Sequence, residues 1–257
     1  MKNLTQEQKR LLLERDKLLD KKIHSILTKI GGKYRPIAKA VTKDILDLLR
    51  DTKDEEVPLR NYLNMQYYQR ILYTIERKLH ELALWEKQLL EEEMIEFYIV
   101  CFWYDPLGGQ ATREQAVNAV DEAWCSDGKH WWERIGEHNG KLYTRLDSTL
   151  MDVLVSKPST EEVERLIKKE FDQAYNEDKT LVDTEFTHIM NKTNEDKYAQ
   201  KGVQNFLYVC IHDERTCTAC LERDGKVFRV GDPVNTPGLH PNCRCQTVPI
   251  TNNNYLI

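Results

Sequence analysis

The interpretation of this chain starts from a stretch near its end that reads Cys217-Thr218-Ala219-Cys220, then Asp224-Gly225-Lys226-Val227-Phe228, then His240-Pro241-Asn242-Cys243-Arg244-Cys245. Four of the seven cysteines and one of the seven histidines of the 257-residue chain lie between Cys217 and Cys245. Thiolates and imidazoles at C-x-x-C and H-x-x-C spacing are typical of zinc sites, which take four such ligands in a tetrahedron. The stretch therefore predicts one structural zinc ion in a closed, non-catalytic site.

Five side chains compete for the four positions around this ion, namely Cys217, Cys220, His240, Cys243 and Cys245. We favour the first four, because Cys243 and Cys245 would point to opposite faces of an extended segment. Whether Cys245 takes the place of His240 as the fourth ligand stays open. Unliganded thiols, two disulfides or a redox pair are the alternatives, although cytosolic chains rarely keep disulfides and no βαβ pattern surrounds the C-x-x-C pair.

The segments around the cysteines have the patterns of short strands. Asp224-Gly225 is a hairpin signal, residues 226–230 alternate in polarity, and Val203 to His212 forms an apolar run. These features predict a small β-hairpin that the metal ion holds to the loop that follows it.

Apolar residues recur at the helical period over most of the first 200 residues. The expected helices run from Thr5 to Gly31-Gly32, from Pro36 to Arg50, from Pro58 towards Tyr104, and from Thr112 to Ala123. A further helix is expected to end at Lys157-Pro158, the next to begin at Ser159, and the last to run from Asp178 to Gln200. The segment from Met94 to Tyr104 is apolar enough to be buried or pressed against another subunit.

The predicted fold class is therefore α+β, with a mainly helical body and a small C-terminal β-hairpin of zinc-binding type. The predicted division is a basic N-terminal helical arm and linker (1–57), a helical body (58–200), a Cys/His module (201–250) and a tail (251–257). Most of the 257 residues are expected to form one main domain.

The formal net charge of −5 conceals a segregation of charge along the chain. Residues 1–43 carry twelve Lys and Arg against four Asp and Glu, a net charge of +8, whereas residues 44–100 carry seven against thirteen, a net charge of −6. Such an arm is an amphipathic packing helix or a basic helix that contacts DNA phosphates without sequence preference. Double-stranded DNA is accordingly one candidate partner.

The chain carries none of several enzyme signatures, including the P-loop, G-x-S-x-G, H-E-x-x-H and the zinc-deaminase pattern. Glu185 and His188 share one helix face and are the one acid/base-like pair outside the cysteines, but no nucleophile can be placed beside them. We expect a structural role there, such as holding a strand with Arg215. An enzyme, a nuclease or transferase centred on His212, Asp213 and Glu185, is the least favoured hypothesis.

Neither a membrane span nor a secretory signal is expected, because the chain has no apolar run of eighteen residues and its N-terminus lacks an apolar core. The remaining cysteines, Cys101, Cys125 and Cys210, have apolar neighbours that suit buried thiols. Synthesis in a reducing cytoplasm is the natural expectation.

The pattern D-x-R-T-C-x-x-C, D-G-K-V-F and H-P-x-C-R-C resembles the C-terminal signature of the phage head morphogenesis family, the Mu F-like minor head proteins of tailed phages. Trp124 to Lys129, Glu133-Arg134-Ile135 and Asp183-Thr184-Glu185 extend the resemblance to roughly residues 60 to 250. It implies a minor capsid protein that is made in the bacterial host and attached to the portal protein inside the head, close to the packaged genome. Scaffold and major capsid proteins are further partners that it admits.

Overall fold

The structure, a computed structural model, describes residues 4–51, 66–104, 107–125, 127–212, 216–232, 237–238 and 240–250. The helices in these segments are α1 (Gln6–Asp51), α2 (Gln66–Tyr104), α3 (Arg113–Val120), α4 (Trp131–Ser156), α5 (Thr160–Gln200) and α6 (Thr218–Arg223). The strands are β1 (Asn205–Val209), β2 (Val227–Arg229) and β3 (Gln246–Ile250). The predicted α+β class is therefore confirmed. The expected linker before Pro58, the start of the helix there and the tail from 251 lie outside the described residues.

The three strands form one antiparallel sheet in the order β2-β1-β3. The predicted strand before the cysteines and the strand after Asp224-Gly225 do pair, with Asn205 opposite Arg229. However, the Asp224-Gly225 turn joins α6 to β2 instead of closing a two-residue hairpin, and Gly225 has a φ of 74° that suits glycine. Strand β3 was not predicted, because its five residues include Pro249.

Helix α1 is longer than its sequence predicts, since it continues through Gly31, Gly32 and Pro36, where two separate helices were expected. Proline and glycine disfavour a helix interior, but packing outweighs this local preference. Buried apolar side chains recur on both sides of the expected break, among them Ile26, Ile30, Val41 and Ile45. Helix α5 likewise continues through Asp178, where a second helix was expected to begin.

The predicted capping residues at three helix starts make the expected hydrogen bonds. The capping boxes of Thr5 with Gln8 and of Thr112 with Gln115 are both formed by reciprocal hydrogen bonds. The backbone N–H of Glu162 donates to the hydroxyl of Ser159 at the start of α5. Each cap satisfies helix donors that would otherwise lack a partner.

Contacts between residues divide the chain into two compact units. This division does not test the predicted domain boundaries, which stay predictions. The first unit comprises residues 1–26, 89–131 and 180–257. Its core joins the beginning of the chain to its end, because Leu4 and Leu12 pack with Leu207, Val209 and Val248. Two hydrogen bonds strengthen this contact, from Arg15 Nη1 to the carbonyl of Thr247 (2.9 Å) and from Gln246 Nε2 to the carbonyl of Leu12 (3.4 Å).

The second unit comprises residues 27–88 and 132–179, and helices α1, α2, α4 and α5 all contribute to it. A polar layer interrupts its apolar core, and each of the four helices supplies part of it. The Tyr34 hydroxyl donates to Asp178, and Nδ1 of His138 lies 3.0 Å from the same carboxylate. Asn139 Nδ2 lies 3.5 Å from Oε2 of Glu86, whose side chain is buried.

None of the described helices combines the length and apolarity needed to cross a bilayer.

Candidate metal centre

Cys217 and Cys220 are positioned by the start of α6. Cys217 is the N-cap residue with extended backbone, and its sulfur accepts a hydrogen bond from the backbone N–H of Cys220 (3.4 Å). Since the chain turns into a helix at this point, residues three apart come to lie on one side of that first turn. The C-x-x-C spacing thus brings both sulfurs to the same place, with Cys220 fully buried and Cys217 partly exposed.

His240 and Cys243 are held by a tight turn. The N–H of Cys243 donates to the carbonyl of His240 (3.2 Å), and Asn242 has a φ of 60°. Proline followed by a left-handed asparagine is the pattern of a type II turn, which explains the Pro241-Asn242 pair between the two candidate ligands. The Thr184 hydroxyl of α5 accepts from the N–H of Asn242 (3.1 Å) and so ties this turn to the helix.

The candidate ligands form two overlapping groups whose donor atoms lie within 4.8 Å of one another. One group is Cys217, Cys220 and His240, and the other is Cys220, Cys243 and Cys245. Cys220 belongs to both, at 3.2 Å from Nε2 of His240 and 3.8 Å from Sγ of Cys243. Two sulfurs bound to one tetrahedral zinc at about 2.3 Å each lie about 3.8 Å apart, so the spacing of Cys220 and Cys243 is compatible with zinc. Among the described residues the four favoured ligands do not form one group, because Cys217 and His240 belong to the first group and Cys243 to the second, with Cys245.

The ring orientation of His240 also suits a zinc ligand. Its Nδ1 lies 2.9 Å from the carbonyl oxygen of Pro241, which accepts a hydrogen bond only from a protonated Nδ1. The unprotonated Nε2 is then directed to Cys220. Histidine ligands commonly donate their second ring N–H in this way, because the bond fixes the tautomer and the orientation of the ring.

Cys210 also belongs to this cluster, although the sequence indicated only a buried thiol. Its sulfur lies 3.3 Å from Sγ of Cys245 and donates to the carbonyl of Cys220 (3.1 Å). The missing signal was strand register, because Val209 pairs with Gln246 and the next opposed pair is Cys210 with Cys245. Because strand β3 was not predicted, the pairing of Cys210 with Cys245 was not predicted either.

The electrostatics of the cysteine cluster centre on Cys220. Hydrogen bonds from Cys210, and then from Cys243 and Cys245, hold the pKa of the Cys220 thiol well below its usual value. The same bond raises the pKa of Cys210 to about 12. Neighbouring thiolates repel one another, so one sulfur carries the charge while the others donate. A divalent cation would remove that repulsion and let further thiols ionise.

Residues 144–248 match the family model described as Phage Mu protein F like protein. This region is Mu F-like. Over these residues the match confirms the resemblance seen in the sequence, and it includes every candidate ligand from Cys217 to Cys245, whereas Trp124 to Lys129 and Glu133-Arg134-Ile135 lie outside it. No curated protein and no solved structure gives a significant match to the chain.

Glu185 and His188 of the Mu F-like region contact Trp124, which precedes this region. The indole N–H donates to Oε2 of Glu185 (2.9 Å), and the His188 ring stacks on the indole with centroids 4.2 Å apart. His188 is buried, its Nε2 has no hydrogen-bond partner among the described residues, and burial, together with the charge of Lys192, lowers its pKa to about 3. These contacts support the structural role predicted for the pair, while Arg215 lies outside the described residues.

His212, one of the residues of the enzyme hypothesis, contacts a carboxylate of Asp224 in the structure. Nε2 of His212 lies 2.7 Å from Oδ2 of Asp224, whose other carboxylate oxygen accepts from the N–H of Cys210 (2.8 Å). Asp224 therefore fixes the segment that follows β1 of the Mu F-like region. Asp213 lies outside the described residues.

Proposed function

We propose that this chain is a minor capsid protein of a tailed phage, attached to the portal protein inside the head and acting in head assembly and in genome packaging or delivery. The observation that carries the proposal is the Mu F-like match over residues 144–248. The family is one of structural phage head proteins, which fits a role in attachment without catalysis. The site of action is then the virion, after synthesis in the host cytoplasm.

The Cys/His cluster has a structural task in this proposal. Cys217, Cys220, His240 and Cys243 bind one zinc ion, which ties α6 to the turn that precedes β3. These donors are at most partly exposed, and a closed set of four leaves no position for a substrate. The ion would further stabilise the small sheet of three short strands, because Cys220 and Cys243 belong to the same buried cluster as Phe206 and Tyr208 of β1.

Metal analysis of protein purified under reducing conditions tests this task. We expect one zinc per chain, and Cys217→Ser or Cys243→Ser should reduce that content strongly. Cys125→Ser is the matched control, because Cys125 lies outside both ligand groups. A folded, reduced wild-type chain without zinc would overturn the metal assignment.

The surface of α2 supports attachment to a partner protein. Val100, Trp103 and Tyr104 are exposed at i, i+3 and i+4 near the end of this helix, and Trp103 is 67% exposed. The sequence had predicted that this apolar segment is buried or pressed against another subunit. Large apolar side chains that cluster on one surface are typical of protein interfaces.

Co-purification with the portal protein of the same phage tests the attachment. We expect the wild-type chain to bind portal rings or procapsids, and Trp103→Asp to reduce binding at least tenfold. Tyr73→Asp is the control, because Tyr73 is an equally exposed aromatic residue elsewhere on α2. A folded wild-type chain that binds neither rings nor procapsids would overturn the proposal.

DNA binding by the basic arm is a second candidate function. Arg10, Lys17 and Lys21 are exposed at i, i+7 and i+11, which places them on one side of α1. Lys22 is not available in the same way, because it pairs with Glu93 and Glu96. Each phosphate that this stripe neutralises would make binding more sensitive to salt.

Duplex-DNA shift assays at increasing salt test the second candidate. We expect binding that falls steeply with salt and is lost when Arg10, Lys17 and Lys21 are replaced by Gln. Replacement of Arg165, Lys168 and Lys169, exposed on α5, by Gln is the charge-matched control. Binding that does not depend on salt, or no binding, would remove this candidate.

A further inference from the structure

Cys210 and Cys245 stand apart from the other thiols of the cluster, because the sheet itself brings them together. Register pairs run from Asn205 with Ile250 to Val209 with Gln246, and one further step places Cys210 opposite Cys245. Residues directly opposed in an antiparallel pair have Cα atoms about 4.5–5.5 Å apart. That separation lies inside the window of about 4.4–6.8 Å in which a disulfide can form.

The sulfur atoms meet the same requirement. They are 3.3 Å apart, closer than Cys220 and Cys243 at 3.8 Å, so the two side chains already point towards each other. Both ends of the pair are anchored, since Asp224 accepts from the N–H of Cys210 and Asn191 Nδ2 donates to the carbonyl of Cys245 (3.0 Å). Bond formation therefore needs little more than closing the gap between the sulfurs.

The zinc proposal does not require either sulfur. Cys217, Cys220, His240 and Cys243 already supply four ligands, and Cys210 belongs to neither of the two ligand groups. Cys245 belongs to the second group, with Cys220 and Cys243, and its sulfur also lies 3.3 Å from Sγ of Cys210.

We propose that Cys210 and Cys245 form a redox-active dithiol behind the metal centre, which a small two-electron oxidant such as hydrogen peroxide converts into a cross-strand disulfide. The proposal builds on the zinc assignment, since it gives Cys245 a role other than that of a ligand. Peroxide oxidises one sulfur to a sulfenic acid and releases one water. The second sulfur then attacks the first, the S–S bond forms, and its proton leaves with the hydroxyl as a second water.

The burial of the pair determines which oxidants can react. Both cysteines are almost fully buried, so a bulky aromatic disulfide reagent should be excluded, whereas peroxide is close to water in size. The disulfide would join β1 to β3 and leave the sheet otherwise unchanged. It would hold the end of the chain to the sheet whether or not the metal ion stays bound.

Trypsin separates the relevant cysteines and so makes the test direct. Cleavage gives peptide 202–215 with Cys210, 216–223 with Cys217 and Cys220, 230–244 with Cys243, and 245–257 with Cys245. The reduced, zinc-loaded full-length chain is treated with peroxide, alkylated under denaturing conditions and mapped by mass spectrometry without reduction. Zinc content is measured in parallel.

We expect one dominant cross-link, between peptides 202–215 and 245–257, with zinc retained at one ion per chain. Cys210→Ser should abolish the cross-link and keep the zinc, and Cys245→Ser should do the same. Cys243→Ser should lose the zinc and still form the cross-link. The cross-link is mapped in the wild-type chain itself, so the test does not depend on whether every variant folds.

Two results would overturn the inference. Cross-links that involve peptide 216–223 or 230–244, or no cross-link at all, would show that the pair is not the reactive one. Zinc lost in Cys245→Ser as fully as in Cys243→Ser would make Cys245 a ligand. A chain that binds no zinc but still forms the 210–245 disulfide would refute the metal assignment alone.

Discussion

Arg244 connects the candidate metal centre to two helices through its guanidinium group. Nη2 contacts Asp20 Oδ1 (2.9 Å) of α1 and Asp183 Oδ1 (3.0 Å) of α5, while Nη1 lies 3.8 Å from Asp16. The side chains of Arg244 and Asp183 are only 8% and 9% exposed. Lysine could not replace this residue, because one planar group with several donors serves carboxylates from two directions.

Arg244→Met should lower the free energy of unfolding by about 3–5 kcal/mol, because it leaves the Asp183 carboxylate buried without its partner. Asp20→Asn should cost only about 0–1 kcal/mol, since Asp20 is 60% exposed and water screens its charge. Urea denaturation of the metal-loaded chain measures both. Adding Asp183→Asn to Arg244→Met should restore most of the loss, and equal costs for the two single variants would contradict this assignment.

His188 makes the stability of the first unit depend on pH. Its pKa is about 3 in the folded chain, below the value of about 6.5 expected when the chain is unfolded. Between pH 3 and pH 6.5, His188 therefore binds a proton in the unfolded chain but not in the folded chain. The stability associated with neutral His188 is fully present above pH 6.5 and falls as the pH approaches 3.

His188→Phe should keep the stacking on Trp124 and remove this titration. Between pH 6.5 and 4 the free energy of unfolding should fall less steeply than in the wild type, by up to about 1.4 kcal/mol per pH unit. Urea denaturation across that range measures the slopes. Comparison with the wild type cancels the acid sensitivity of the metal ligands, and identical slopes would contradict the prediction.

At the scale of elements, the four helices of the second unit meet at a buried acid pair. Burial, and next the charge of Asp178, hold the pKa of Glu86 well above its usual value. Tyr34, His138 and Asn139 are the other polar groups that face this pair, and Oε1 of Glu86 has no hydrogen-bond partner among the described residues. A layer of this kind costs stability in its ionised form.

Glu86→Gln should stabilise the chain at pH 8 and change little at pH 5. Because the folded pKa of Glu86 is raised, its contribution is fully present below about pH 4.5 and is lost as pH rises towards the folded pKa, by about 1.4 kcal/mol per unit. Thermal unfolding at both pH values tests this. Glu81→Gln, exposed on the same helix, should show no such difference, and parallel behaviour of Glu86→Gln and the wild type would refute the assignment.

The elements also show what the sequence could predict. Ligand pairs and helix caps depend on residues three apart, so Cys217 with Cys220 and Thr112 with Gln115 were found from spacing alone. Cys210 was missed because its neighbour is 35 residues away and depends on the register of β1 with β3. The break at Gly31 was wrong because tertiary packing, which a local rule does not include, outweighs the propensities of glycine and proline.

At the scale of the whole molecule, the beginning of the chain packs on its end. Leu12 is 6% exposed and belongs to the cluster that includes Val248, whereas its neighbour Leu13 is 58% exposed. The arm predicted to contact DNA is therefore also part of the core that supports the sheet.

Leu12→Ala should lower the free energy of unfolding by about 2–5 kcal/mol, because it opens a cavity under the sheet. Leu13→Ala should change it by no more than about 0.5 kcal/mol. Hydrogen exchange gives the sharper measurement, since amides of β1 and β3 should lose protection only in the first variant. Equal protection in both would mean that the N-terminal segment does not support these strands.

The contact between Arg15 and Thr247 spans 232 residues of sequence. Synthesis must therefore pass residue 247 before α1 can reach its final neighbours. Until then Leu12 lacks the contact with Val248 of β3, and a product shortened by a premature stop before β3 never acquires that contact. Such fragments would leave apolar surface uncovered and should be degraded by cellular proteases.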